Sequence, residues 1–392
     1  MLPHIDDIRK KVIQAATANG YSPAKNGDLA ERPVFLMAPT SIVGGLYGKQ
    51  LAAVARVVAA VDDVSTETSI HGAPRWTSAE FLERARQYPD AIAIDFSGGP
   101  YVRWLVTRLC EEAGGVELRD FALVAGQLKL GAVYETCDVY RDRTLERLDE
   151  FLAVADRFTD DLSRATLYSN LLFRLTYNRS NLLPVWEPYD EYFSRHDYGQ
   201  TATFRPGFNE HFVDCGAHQG TIIHRLLGAT EGRYKSITAF EPDRINFLKL
   251  QNLTPVRLHD YHPINKAVSN QAEELRFLET GTMSSYVSTS GNTIVQTTTM
   301  DDEVEHATFL KLDVEGFESK ALQGATRLLA QRPRIAVCVY HLANDLLDVL
   351  SVLDKNVENY HYKLRQHYAG WYYDLVLYGS PVEGVDAPSW AA

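Results

Sequence analysis

The sequence predicts an α/β protein with two sheets. A smaller Rossmann-like unit comes first, then a helical connector, then a larger, mostly parallel seven-stranded sheet closed by an antiparallel hairpin. Three observations carry that expectation. Short apolar runs alternate with helix-period segments over residues 34–113 and again over 211–353, a pattern that builds parallel sheets flanked by helices. Polar groups follow the apolar runs of the second half, at Asp214, Glu241, Asp313 and His341. Finally, residues 361–366 and 373–378 read as two adjacent closing strands.

The elements follow in chain order. Residues 4–19 place Ile5, Ile8, Val12, Ile13 and Ala16 at helical spacing. A strand at 34–38, a Ser/Gly-rich turn at 40–48 and a helix at 46–56 lead to a second strand ending in Asp62 and Asp63. The stretch HGAPRW reads as a connector, followed by a helix at 78–86, a strand at 91–97 and a helix at 101–113. The turn holds Gly44, Gly45 and Gly48 without a GxGxxG spacing, so tight packing is favoured over an anion cradle. Leucines and phenylalanines three or four apart over 140–183 predict amphipathic helices, closed by Pro184. The aromatic cluster Trp186, Tyr189, Tyr192 and Phe193 then reads as packing, or as a lid on a cofactor pocket. Domain boundaries are expected at 1–135, 136–200 and 201–392.

Composition bounds the function. At 392 residues the chain is long enough for two or three domains, and 45% hydrophobic with 23% charged residues is ordinary for a well-cored protein. A formal net charge of −12 argues against a nucleic-acid partner, since such binding depends on Lys and Arg neutralising phosphates. The four cysteines, Cys110, Cys137, Cys215 and Cys338, have no metal or CxxC spacing and read as buried thiols. No signal-peptide core and no run of about 18 apolar residues is present, so a cytoplasmic protein without a membrane span is expected.

The stretch HFVDCGAHQG at 211–220 reads as a strand, a carboxylate, a glycine turn and a helix start. The next strand ends in Glu241–Pro242, placing an acid about 20 residues past the turn, where a carboxylate can hold a ribose diol. That geometry suits an adenosine-containing cofactor. Further strands are expected at 265–269, 308–312 and 334–340, with extended segments around AEELRFLE and NTIVQTTTM between the first two. Helices are expected at 221–227, 245–251, 319–329 and 345–353.

FVDCGAHQG, AFEPD, TTTMDDE, FLKLDVEGFESKALQGA and YHYKLRQHYAGWYYDLVLYG together resemble the FkbM-type family of S-adenosylmethionine-dependent methyltransferases, over about residues 186–380. LKLDVEGFE with the trailing LQGA is the most specific piece. The segment after the fifth strand departs from the family, reading YHLAND where many relatives carry a glutamate before a histidine. VAAVDD, IHGAPRWTSAEFLE and the strand ending beside Gly98 and Gly99 together resemble, over about residues 32–113, the small nucleotide-binding Rossmann-type domain at the front of sialic-acid-type sugar acyltransferases.

The FkbM resemblance implies a Rossmann-like methyltransferase fold and an S-adenosyl-L-methionine cofactor. Gly216, Ala217 and Gly220 would let the backbone approach it, since a Cβ at the glycines would intrude. Asp214 would meet its ammonium group or nearby water, Glu241–Pro242 its ribose, and Asp313 would border it. Ser284, Ser285 and the Asn265–Lys266 pair would line the adenine end. His341 is the first choice for a catalytic base, followed by Glu315 and Asp313; a strand-end histidine bonded to neighbouring backbone is the competing role. Asp313 and Glu315, two apart, point the same way in an extended segment. They are placed to bind a cation, orient an acceptor hydroxyl, or hold the loop against the helix start at Ser319. Without further histidines or acids at short spacing, no metal is expected.

The leading expectation is O-methylation of a hydroxyl on a sugar or other polar metabolite, with a small molecule or glycan as substrate. Two rivals use the same features. One is a nucleotide-sugar-binding or scaffolding protein with a catalytically silent methyltransferase fold. The other is an NAD-dependent oxidoreductase, which the D-x-G-x-x-x-G turn disfavours, having one glycine fewer to approach a pyrophosphate.

Overall fold

The computed structural model describes Leu2 and residues 4–18, 26–131, 134–194, 203–254, 257–282 and 285–382. The chain divides into two compact units. The first comprises Met1–Leu148, Ala165–Trp186 and Tyr368–Tyr373; the second comprises Asp149–Arg164, Glu187–His367 and Asp374–Ala392.

Six strands form the first unit's sheet: β1 (Val34–Met37), β2 (Val57–Val61), β3 (Ser69–Ile70), β4 (Ala73–Trp76), β5 (Ile92–Asp95) and β6 (Glu117–Asp120). Their order is β3-β4-β2-β1-β5-β6, with every neighbouring pair parallel except β3 with β4. Both faces of β1 are buried, as a central parallel strand requires, with Phe35 and Met37 packing against Trp76, Phe81 and Val106.

Three local differences from the sequence expectation have physical reasons. The helix expected from residue 46 spans Ile42–Ala52, because Ser41 Oγ accepts the Gly44 N–H at 3.0 Å and caps it four residues earlier. The three glycines therefore lie inside a helix rather than in a turn. A Cβ at Gly44 would stand 2.4 Å from the Pro39 carbonyl oxygen, and one at Gly48 would stand 2.4 Å from the His71 ring, so close approach selects glycine there. HGAPRW is a hairpin rather than a connector, turning at His71 (φ 52°) and Gly72 (φ 83°) as a primed turn requires. The third difference is β6, whose sequence ELRD lacks any apolar run; it pairs with β5 at the sheet edge and turns a single apolar side chain, Leu118, to the core.

The first unit has a second core around Trp371, which is fully buried. Phe121, Phe173 and Tyr47 surround it, with ring centroids 4.8, 5.2 and 5.6 Å away. Trp371→Ala is expected to cost about 3–5 kcal/mol in urea unfolding, and a loss under about 1 kcal/mol would contradict that packing.

The second unit contains the expected seven-stranded sheet. Its strands are β7 (His211–Cys215), β8 (Ser236–Phe240) and β9 (Tyr261–Ile264); then, after a separate four-stranded sheet of β10 (Ala267–Val268), β11 (Glu274–Leu278), β12 (Tyr286–Val287) and β13 (Thr293–Thr298), come β14 (Phe309–Leu312), β15 (Arg334–Cys338), β16 (Tyr360–Gln366) and β17 (Leu375–Pro381). The order is β16-β17-β15-β14-β7-β8-β9, parallel from β15 to β9 and antiparallel through the closing β16–β17 hairpin. The third strand is YHPI rather than NKAVS: Pro263 and polar neighbours disguise it, and an edge position tolerates them. NKAVS instead supplies the short β10, which pairs with β13.

The core of this unit packs Phe212, Ile237, Phe309, Ala336 and Val376 against Ile223 and Leu226 of the helix Thr221–Ala229 and Leu250 of the helix Arg244–Gln251. The sheet order reverses between β7 and β14, which makes their carboxyl ends the switch point where ligands of such sheets bind. No described helix is long and apolar enough to cross a membrane.

Candidate active site

Asp214 and Lys311 are directly opposite each other on β7 and β14. Both are buried, and Lys311 Nζ stands 3.0 Å from Asp214 Oδ1. The ammonium also donates to the Gly216 carbonyl at 2.8 Å. Burial opposes the Lys311 charge, yet the carboxylates of Asp214 and Asp313 outweigh it and hold the group above the ordinary lysine range. Burial pushes Asp214 upward against the pull of Lys311. The pair therefore anchors the loop that follows β7 from below.

That loop bends at Gly216, whose φ is 78° and whose Cβ, if present, would lie 1.9 Å from the Asp313 carbonyl oxygen. Gly216 and Ala217 both donate to the Phe240 carbonyl, and Gly220 (φ 86°) caps the helix Thr221–Ala229. The two turns after β7 and β14 are thus pressed backbone to backbone, which only glycine permits at this conformation.

Glu241, at the end of β8, is buried. Its Oε2 accepts the His218 N–H at 2.7 Å and its Oε1 accepts the Asp243 N–H at 2.8 Å. Burial is the dominant influence on its carboxyl, which is pushed up to about 7. Asn265 donates through Nδ2 to the Glu241 carbonyl at 2.8 Å and to the Pro242 carbonyl at 3.1 Å, pinning the acidic turn. Lys266 pairs with Glu303 at 2.5 Å. Ser285 gives its hydroxyl to Asp243 Oδ2 at 2.6 Å, and Ser284 lies outside the described residues. Asp243 also accepts the N–H groups of Ile245 and Gly281, both at 2.8 Å, so it ties the helix start to the loop before β12.

Asp313, Glu315 and His341 converge at the ends of β14 and β15. Asp313 Oδ1 is 3.4 Å and Glu315 Oε2 is 3.7 Å from His341 Nε2, while Glu318 Oε1 is 2.8 Å from Nδ1. His341 is 1% exposed; the Asp313 and Glu315 side chains are 26% and 25% exposed. Burial opposes the imidazolium, but the carboxylates of Glu318, Glu315 and Asp313 prevail and push His341 up to about 10. Burial likewise pushes Glu315 up to about 7. Glu315 occupies a left-handed conformation, φ 57°, beside Gly316 at φ 90°. Tyr192 donates its hydroxyl to Asp313 Oδ2 at 2.9 Å.

The sheet thus brings two groups of the expected residues to neighbouring strand ends. Gly216, Ala217, Gly220, Glu241 and Pro242 follow β7 and β8; Asp313, Glu315 and His341 follow β14 and β15. Asp214 sits inside β7, beneath the turn rather than at its rim. Sequence reasoning passed over Lys311, Glu318 and Asp243. Lys311 had a signal: it is the one charge in the buried run FLKL. Tyr192 was noticed as packing or a lid, without its bond to Asp313.

Residues 214–364 match the family described as the methyltransferase FkbM domain. This segment is an FkbM-family methyltransferase domain. The crystal structure of methyltransferase FkbM from Methylobacillus flagellatus KT is similar to the chain, with 25% identity and a TM-score of 0.76 over 96% of this chain and 100% of that one. A match to an rRNA methylase from Streptococcus thermophilus covers 45% of this chain and 90% of that one, at 16% identity and a TM-score of 0.29. No curated protein matches the chain. In the FkbM domain the matched region runs from Asp214 through Leu364, and so contains every strand-end group described above.

Proposed function

We propose that the chain transfers a methyl group from S-adenosylmethionine to a hydroxyl on a sugar or another polar metabolite. One observation carries this reading: a buried carboxylate, Glu241, stands at the end of β8 beside the glycine turn of β7, across the switch point from the acids that follow β14. When bound, S-adenosylmethionine supplies an electrophilic methyl group on a sulfonium. Glu241 accepts hydrogen bonds from the ribose hydroxyls, and the turn from Gly216 to Gly220 leaves room for the backbone to approach. Asp214 acts through Lys311 and the turn it anchors. Pro242 and Ser285 shape the adenine end. Methyl transfer is an in-line displacement, so holding the two partners in line supplies most of the acceleration.

On the acceptor side, Asp313 and Glu315 are the groups open enough to orient a hydroxyl and take its proton. His341 is enclosed, with carboxylates at both ring nitrogens, and is assigned as a positioning residue. The FkbM relationship supports methyl transfer in general; the oxygen acceptor is argued from this acidic pair.

Cofactor affinity provides the test. Below about pH 7 the free protein holds a proton on Glu241 that must leave before the carboxylate accepts two hydroxyls. Affinity for S-adenosylhomocysteine, measured by calorimetry, is therefore expected to rise about tenfold from about pH 6 to about pH 8. His218 beside the turn is held below its ordinary range by burial, so its proton is gone through most of that interval. Binding of NAD in place of S-adenosylhomocysteine would sink the reading.

A further inference from the structure

The group at the ends of β14 and β15 has a composition that positioning an acceptor does not require. Three carboxylates, from Asp313, Glu315 and Glu318, surround one imidazole. A donor atom from each of Asp313, Glu318 and His341 lies within 4.8 Å of the other two. The separations of Asp313 and Glu315 from Nε2, 3.4 and 3.7 Å, exceed ordinary hydrogen bonds, which end near ~3.2 Å, and resemble distances between ligands sharing one ion. A separate observation concerns satisfaction of polar atoms. Glu318 is fully buried, yet its Oε2 has no hydrogen-bond partner among the described residues, and neither has the buried Asp313 Oδ1. A buried carboxylate oxygen without a donor is costly, and a cation removes that cost.

We propose that Asp313, Glu318 and His341 bind a first-row divalent cation such as Mn²⁺, with Glu315 at the open side of the site. The mixed nitrogen and oxygen donor set favours such an ion over Ca²⁺, which takes oxygen ligands. Three protein ligands leave positions open on the side of Glu315, which is partly exposed. The binding itself stands on this geometry; its chemical use depends on the methyl-transfer reading above. There, an acceptor hydroxyl on the cation becomes more acidic and releases its proton to Glu315. The oxygen lone pair forms the new bond to the methyl carbon, and the electron pair of the broken carbon–sulfur bond stays on sulfur.

The full-length protein, stripped with a chelator and dialysed, is titrated with Mn²⁺ while electron paramagnetic resonance reads the free ion. Uptake of one ion per chain is expected. Asp313→Asn and His341→Gln should each weaken uptake by at least about tenfold. Asp313 is partly exposed, so its variant keeps the test valid if the buried His341 variant fails to fold. Absence of uptake by the parent protein, or uptake unchanged in Asp313→Asn, overturns the site. Calorimetry with S-adenosylhomocysteine on the same samples separates the two readings. Mn²⁺ uptake without cofactor binding upholds the cation site and removes methyl transfer, whereas cofactor binding without Mn²⁺ uptake does the reverse.

Discussion

Glu241→Ala is expected to lower affinity for S-adenosylhomocysteine by at least about 100-fold. A hydrogen bond to a charged group is worth about 1.5–3 kcal/mol, and the proposed ribose contact comprises two. The variant also frees the His218 and Asp243 N–H groups, which Glu241 now holds at 2.7 and 2.8 Å. Loosening of the turn adds to the loss, so Glu241→Gln serves as the companion variant: it keeps an acceptor for one N–H while removing the charge. Calorimetry reads the affinity, and thermal unfolding without ligand shows whether each variant is folded. An affinity within about threefold of the parent protein in folded Glu241→Ala would remove Glu241 from the cofactor site, since under 1 kcal/mol would then be at stake.

Lys311→Met is expected to destabilise the protein by about 3–5 kcal/mol, the range for leaving a buried charge without its partner. Asp214 is fully buried, and Lys311 at 3.0 Å is its ion-pair partner. Methionine matches the lysine stem in length but leaves that carboxylate and the Gly216 carbonyl without the ammonium. The double variant Lys311→Met, Asp214→Leu should recover part of the loss, because removing both charges removes the uncompensated one. Urea unfolding measures both. A single variant that loses less than about 1 kcal/mol would show that the pair holds nothing together.

These two expectations come from different sources. Glu241 was legible in the sequence because it stands at the end of an apolar run, about 20 residues past a glycine turn, where a carboxylate can hold a ribose diol. The strand–helix alternation made the larger sheet legible for the same reason: period and punctuation are local properties. β9 and β6 were not legible, since an edge strand does not need apolar residues on both faces, and Pro263 is tolerated where one side lacks a ladder partner. Likewise, Gly44, Gly45 and Gly48 suggested a turn because glycine is a poor helix former. The Ser41 cap starts the helix before them, and the close approach of Pro39 to Gly44 and of His71 to Gly48, known only after folding, is what selects glycine at those two positions.

The acidic group shows the same limit. Asp313 and Glu315 are two apart, and an extended segment was expected to point them the same way; instead Glu315 is left-handed at φ 57°, and it is this turn that brings both acids to His341. Glu318 stood outside the reasoning because the strand pattern ends before it; a helix beginning at Glu318 turns its carboxylate back to His341, 23 positions away in sequence. No metal was expected from spacing, yet the ends of β14 and β15 collect three acids on one imidazole.

By itself, then, the sequence determined the strand–helix alternation of both units, the glycine turn with its paired carboxylates, and the relationship to FkbM methyltransferases. These depend on periodicity and on residues a few positions apart, which local sterics dictate. The tertiary structure decided which charges meet: Asp214 with Lys311 across two parallel strands, and Glu318 with His341 past the carboxyl ends of β14 and β15. Such pairings depend on strand order, and strand order follows from burying whole faces at once, a global condition that no local spacing encodes.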